Sequence, residues 1–131
     1  MNHSIAKSLN NAVEAAQSFS SDQKNITQIH DIAQLIVKTF DAGNKILVCG
    51  NGGSACDAAH FAEEFTGRFR KNRKALPVIP LMESSHITCV ANDFGFDSIF
   101  SRSVEAYGKP NDIFLGISTS GNSTNVVKAF E

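Results

Sequence analysis

His60 and Glu64 stand four residues apart in the run Asp57-Ala58-Ala59-His60-Phe61-Ala62-Glu63-Glu64. On a helix that spacing brings an imidazole and a carboxylate over one spot. At about 100° per residue, Ser54, Ala58, Phe61 and Phe65 share an apolar face. Asp57, His60 and Glu64 form the adjoining polar face, and Glu63 points nearly opposite Ser54. Three readings fit the pair. Imidazole nitrogen and carboxylate oxygen from one rigid element suit a metal ion. Glu64 alone, partly buried, suits a general base. The third reading is an ordinary helix-surface pair worth about 0.2–0.5 kcal/mol.

Two loops could supply the rest of a site: Gly50-Asn51-Gly52-Gly53-Ser54 and Ser118-Thr119-Ser120-Gly121-Asn122-Ser123. Each follows an apolar run and precedes a helical pattern. A helix start presents unpaired N–H groups and partial positive charge, so it favours an anion. Glycine lets the backbone approach a ligand, and Ser and Thr add hydroxyl donors. Together the loops could hold both ends of a sugar phosphate, with Ser118, Thr119, Ser120 and Ser123 at the phosphate and Asn51 and Ser54 on the sugar side. The same residue types are also preferred in tight turns and caps for conformation alone. Neither loop ends in Gly-Lys-Ser/Thr or reads G-x-G-x-x-G, which disfavours a nucleotide. Asn92-Asp93-Phe94-Gly95-Phe96 reads as a helix exit, with Asp93 able to accept hydrogen bonds from a polyol. His86 reads as structural.

The elements that must position these residues alternate. An amphipathic helix over 3–20 carries Ile5, Leu9, Val13 and Ala16 on one stripe, and a second helix runs from about Asn25 to Ala42, with Gly43 as its stop. Lys45–Cys49 is a continuous apolar run, the mark of a strand buried on both faces of a parallel sheet. Val78–Leu81 is a shorter strand with Pro80 near its end. Helices are expected over Ser84–Ala91 and Asp97–Tyr107, another buried-type strand over Ile113–Ser118, and a new helix from near Ser123. This order predicts an α/β fold with a mostly parallel sheet.

A chain of 131 residues supports one modest core and reads as a single domain over 1–131. A net charge of −1 gives no electrostatic reason to expect nucleic acid. The local basic cluster of Arg68, Arg70, Lys71, Arg73 and Lys74 reads as a solvated helix end. Cys49, Cys56 and Cys89 form no C-x-x-C pair, so free thiols in a reducing cytoplasm are expected. No signal-peptide core or membrane-length apolar run is visible, and no membrane partner is expected. The last helix is only about two turns long at Glu131. A three-stranded parallel sheet has open edges, so a C-terminally truncated chain is expected.

The runs Cys49–Phe69, Ala91–Phe96 and Leu115–Ser123 resemble the signatures of the phosphoheptose isomerases, a family of sugar isomerase (SIS) domains, and the similarity extends over the whole chain. The resemblance implies a SIS-type parallel sheet flanked by helices, with N-terminal helices in a homotetramer and active sites at subunit interfaces. It implies conversion of D-sedoheptulose 7-phosphate to D-glycero-D-manno-heptose 7-phosphate through an enediol, the entry to the heptose of lipopolysaccharide or related glycans. Glu64 matches the family's base. His60 matches a zinc ligand, with Glu64 also near the metal. Asn51, Gly52, Gly53, Ser54, Asn92, Asp93, Ser118, Thr119, Ser120 and Ser123 match substrate-contacting positions. The family's remaining acid/base histidine and a metal-facing glutamine belong to a C-terminal helix that these motifs do not include. Two other readings compete: a non-catalytic SIS protein that binds a replication initiator, and a phosphosugar sensor that does not consume its ligand. The initiator-binding relatives lack the glutamate at the Glu64 position, so His60 and Glu64 together favour the enzyme.

Overall fold

The computed structural model describes residues 2–131, with the side chain of Asn2 left aside. The chain resolves into two compact units, residues 1–38 and 39–131. The first holds helix α1 (Asn2–Ser21) and most of α2 (Gln23–Asp41). Asp22 separates them, its Oδ1 accepting from Lys24 N at 2.9 Å, the way an N-cap carboxylate opens a helix. Ile5, Leu9 and Val13 do form a stripe on α1, and it is exposed, as are Ile26, Ile29 and Ile32 of α2.

In the second unit, Gly43 takes a positive φ of 79° and ends α2, with its N–H bonded to Phe40 O at 3.0 Å. The chain then enters β1 (Ile46–Gly50), α3 (Gly53–Thr66), β2 (Val78–Pro80), α4 (Ser84–Phe94), a 3-10 turn at Phe96–Ser98, α5 (Ile99–Tyr107), β3 (Ile113–Ile117) and α6 (Thr124–Lys128). The three strands form one parallel sheet in the order β2-β1-β3. Every residue of β1 is buried, as its unbroken apolar run requires of a central parallel strand. Pro80 closes β2 on the sheet edge, where a missing N–H costs no ladder bond.

Side chains alternate across the strand. Leu47 and Cys49 enter a core with Leu81, Val90, Ile99, Phe100, Val126 and Ala129, built by α4, α5 and α6. Ile46 and Val48 point to the other face, which α3 covers with its buried Ala58 and Ala62. Burial pushes the Cys49 thiol up to about 12, and all three cysteines are free. Among the described residues β3 pairs with β1 alone and is half-buried along its length. One detail differs from the sequence reading: α4 runs on to Phe94, so Asn92 and Asp93 occupy its last turn, and Gly95 marks the exit.

The amino ends of β1 and β3 are clipped by a charged pair. The Asp112 carboxylate accepts from Lys45 Nζ, from Lys45 N at 2.9 Å and from Lys109 N at 2.8 Å. Burial works against its charge, and these hydrogen bonds from Lys45 and Lys109 outweigh it, holding the carboxyl below its ordinary range. Asp112→Ala should therefore lower unfolding free energy by about 2–3 kcal/mol, since it strands a half-buried ammonium and two N–H groups. Urea unfolding checks this. A loss under about 0.5 kcal/mol, the weight of a surface pair, would show that the clip carries no stability.

Candidate active site

Both loops leave the carboxyl edge of the sheet from neighbouring strands, with Gly50 registered against Ile117. The chain moves from β1 outward to β2, then crosses back to β3 on the other side of β1. The gap between the ends of β1 and β3 is thus a topological switch point, where open parallel sheets bind their ligands. Gly50 makes the first turn possible: a Cβ there would stand 2.6 Å from Ser54 O and 2.8 Å from Ser54 Cβ. α3 therefore begins directly over the end of its own strand. Gly52 continues the turn at a φ of 54°, a conformation that glycine adopts without strain.

In the second loop Ser118 Oγ and Ser123 Oγ share a hydrogen bond of 3.0 Å, which leaves one of the two hydroxyl protons uncommitted. Ser120 Oγ accepts from Asn122 N at 3.2 Å, so its own O–H remains a free donor. Thr119 and Ser120 are exposed. The two loops also touch each other. Asn51 Nδ2 donates to Asn125 Oδ1 at 2.8 Å, and Asn125 Nδ2 donates back to Asn51 Oδ1 at 3.0 Å. Asn125 is buried, only 2 % exposed, and the sequence reading had not singled it out.

His60 and Glu64 do meet, with His60 Nε2 3.3 Å from Glu64 Oε1. Their side chains are 69 % and 35 % exposed, so both remain open to a ligand. They line a cavity of about 640 Å³ together with Asp57, Phe61, Phe65, Phe69 and Arg73. Of the apolar face of Ser54, Ala58, Phe61 and Phe65, Ala58 is buried in the core beside Ala62, whereas Phe61 and Phe65 are half-buried and form this wall. Arg73, exposed like the rest of its basic cluster, turns its guanidinium back on the end of α3, where a helix C-terminus favours a cation, donating to Phe65 O and Lys74 O at 2.8 Å each and to Glu64 O. It thereby satisfies carbonyls that a helix end leaves open.

The cavity contains none of the loop residues. Glu64 lies eleven residues beyond Gly53, about 16 Å along α3. Beside it, Phe65 O accepts from Leu76 N at 3.0 Å, and Pro77 O accepts from Ile46 N at 3.0 Å, at the amino ends of β2 and β1. The His60/Glu64 pair and the two loops are therefore at opposite edges of the sheet. Asp93 stays with α4: its carboxylate accepts from Asn92 Nδ2 at 2.7 Å and from Cys89 Sγ at 3.6 Å. His86 is structural, its Nε2 2.8 Å from Ser103 Oγ and 3.1 Å from Ile99 O.

Residues 8–131 match the SIS domain family. The phosphoheptose isomerase of Yersinia enterocolitica is 54% identical over 132 residues, covering 100% of this chain and 68% of that protein. The chain belongs to the phosphoheptose isomerase family of SIS domains. The phosphoheptose isomerase of Sodalis glossinidius is 54% identical over 127 residues, 97% of this chain and 66% of its own length. The structure of phosphoheptose isomerase GmhA from Neisseria gonorrhoeae superposes with a TM-score of 0.90 at 38% identity, covering 98% of this chain and 66% of that one. The chain thus spans about two thirds of the length of these phosphoheptose isomerases. It carries the three-stranded parallel sheet and its flanking helices in the SIS arrangement.

The nitrogen and oxygen donors of His60 and Glu64 are of the kind zinc takes. Among the described residues, no group of three or more His, Cys, Asp or Glu side chains is arranged to hold a metal ion. The pair therefore fits half of a four-ligand site.

Positioning of Asp93 depends on α4, whose start is capped by Glu83. Its carboxylate accepts from the Ser85 hydroxyl, from Ser85 N at 3.0 Å and from His86 N at 2.6 Å, which lowers the Glu83 carboxyl from 4.5 to about 2. A depressed folded-state value contributes stability above pH 4.5 and loses it as pH falls toward about 2. Glu83→Gln should flatten the fall in unfolding midpoint over that window. Parallel curves for the two proteins would show that the cap is not charge-dependent.

Proposed function

We propose that this chain carries the base and the phosphate-binding loops of an aldose–ketose isomerase that converts D-sedoheptulose 7-phosphate to D-glycero-D-manno-heptose 7-phosphate. The observation that carries the reading is the His60/Glu64 pair, half-open in a cavity on the helix that leaves the switch-point strand. The Glu64 carboxylate takes a proton from C1 of the open-chain ketose, and the electron pair forms the enediol. Return of a proton to C2, with the hydroxyl proton moving from O1 to O2, leaves the aldehyde at C1. The step is redox-neutral within one molecule and needs no co-substrate. Phe61, Phe65 and Phe69 supply low-polarity walls beside the base.

His60 and Glu64 would hold a zinc ion. A bound zinc supplies Lewis-acid polarisation of a neighbouring oxygen. At the other edge of the sheet, the free hydroxyl protons of Ser120 and of the Ser118/Ser123 pair would grip the phosphate, with Thr119 beside them. Asn51, Gly52, Gly53 and Ser54 would face the sugar, and Asn92 and Asp93 would contact the substrate from α4.

The distance between base and loops gives the assembly its reason. An extended seven-carbon phosphosugar reaches about 10 Å, from bonds of roughly 1.5 Å. The eleven residues from Gly53 to Glu64 span about 16 Å toward the far edge of the sheet. Glu64 and its own copy's loops thus stand more than a substrate length apart along the helix, and a site shared between subunits, in a homotetramer, fits that separation. The exposed Ile5, Leu9 and Val13 of α1 and Ile26, Ile29 and Ile32 of α2 supply apolar surface for such packing. Among the described residues no helix is long and apolar enough to cross a membrane, and three free thiols suit a reducing cytoplasm. The product's place is then early in the supply of heptose to surface glycans.

Glu64→Gln keeps the shape and removes the base. Turnover of D-sedoheptulose 7-phosphate, followed by proton NMR in deuterated water, should fall about 10²–10⁴-fold while ligand binding is retained. Near-unchanged turnover would remove Glu64 from the mechanism. Ser120→Ala should instead raise KM about ten- to a hundredfold, because one donor to an ionised phosphate is lost. An unchanged KM would count against the phosphate grip.

A further inference from the structure

We propose that Asn125 is a positioning residue: locked amide to amide with Asn51, it fixes the separation of the two loops and so the site's preference for a ligand that bridges them. The inference rests on the functional reading above and deepens it. Two hydrogen bonds between the same two groups, 2.8 Å and 3.0 Å, remove both sliding and rotation of one amide against the other. The pair joins residues 74 apart in sequence, one following β1 and one in the first turn of α6. It therefore spans the switch-point gap itself.

The two partners differ in what they have left to give. Asn125 is 2 % exposed, and its neighbour Val126 is buried in the core, so its amide has no route to a ligand. Asn51 is only half-buried. Its second N–H and the second lone pair of its oxygen remain unspent and available to a sugar hydroxyl. Asn125 thus acts through Asn51. It holds that residual donor and acceptor at a set distance from the hydroxyls of Ser118, Ser120 and Ser123. A ligand that touches both loops meets a preorganised pair of contacts and pays little to order them. A ligand that touches only the hydroxyl loop gains nothing from the pairing.

The test compares D-sedoheptulose 7-phosphate, which reaches both loops, with inorganic phosphate, which reaches one. Binding of the first is measured by calorimetry and of the second by its competition against the first, for the full chain and for Asn125→Ala, Asn51→Ala and the double variant. Asn125→Ala should weaken D-sedoheptulose 7-phosphate about tenfold, the weight of one neutral hydrogen bond, and leave inorganic phosphate within about twofold. The double variant should be no weaker than Asn51→Ala alone, because Asn125 has no separate contact to lose. Asn125→Asp keeps the acceptor for Asn51 Nδ2 at nearly the same volume, and its affinity should lie between the two. It also serves if the alanine variant does not fold. Equal losses for both ligands would make the pair a general support of the fold and overturn the proposal, as would additive losses in the double variant. Failure of the unsubstituted chain to bind D-sedoheptulose 7-phosphate, or of phosphate to compete, overturns the functional reading and this inference with it.

Discussion

Strand β1 is the constraint from which the rest follows. It is buried on both faces and hydrogen-bonded on both sides, so its five residues see almost no water. A strand so placed must be apolar throughout, must sit in the centre, and must hand its polar work to the residues just past its end. Gly50-Asn51-Gly52-Gly53 is where that happens. The helix that follows cannot drift, because Ser54 stands on the space a side chain at position 50 would take. The shape of this edge is held by close packing, which is why so short a loop keeps a set conformation.

The second consequence of a parallel sheet is distance. A helix that returns over the sheet carries its far end to the opposite edge, and α3 takes Glu64 there with it. Arg73 then fixes that far end by bonding the carbonyls of Glu64 and Phe65. The hydroxyl-bearing loops and the His60/Glu64 pair thus stand at opposite edges with a sheet between them. In the function proposed above, association of copies would bring the two together, with the exposed isoleucines of α1 and α2 as apolar surface for it.

Much of this could be read from the residues alone, and the limits are physical. Local patterns were enough for β1, for α3 and for the meeting of His60 with Glu64, because period and i,i+4 spacing are short-range properties. An apolar run such as that of β3 does not reveal which strands stand beside it, so the order β2-β1-β3 left no mark in the sequence. A basic cluster at a helix C-terminus was legible, but nothing in its residue types singles out Arg73 as the cation that bonds the last carbonyls of α3. Asn125 carries no signal for a similar reason: a pair joining positions 51 and 125 leaves no trace in either stretch. Membership of one cavity is likewise not a property of any stretch, and the separation of Glu64 from the loops became visible only with the crossover drawn in three dimensions.

The seam between β1 and β3 is tied at both ends, by Lys45 and Asp112 at one and by Asn51 and Asn125 at the other. This matters for folding errors. Ile113-Phe114-Leu115-Gly116-Ile117 is apolar at every position, so a shift of β3 by two residues would keep each side chain on its face. Hydrophobicity alone does not tell the two alignments apart. Packing does, because a side chain in the place of Gly116 would stand 2.6 Å from Val126 Cγ1 and 2.9 Å from Phe130 Cε2. The end ties do so as well, because a slipped strand would part a carboxylate from its ammonium and two amides from each other at once. Correct alignment is thus chosen twice, by one missing side chain in the core and by a few polar atoms at its rim.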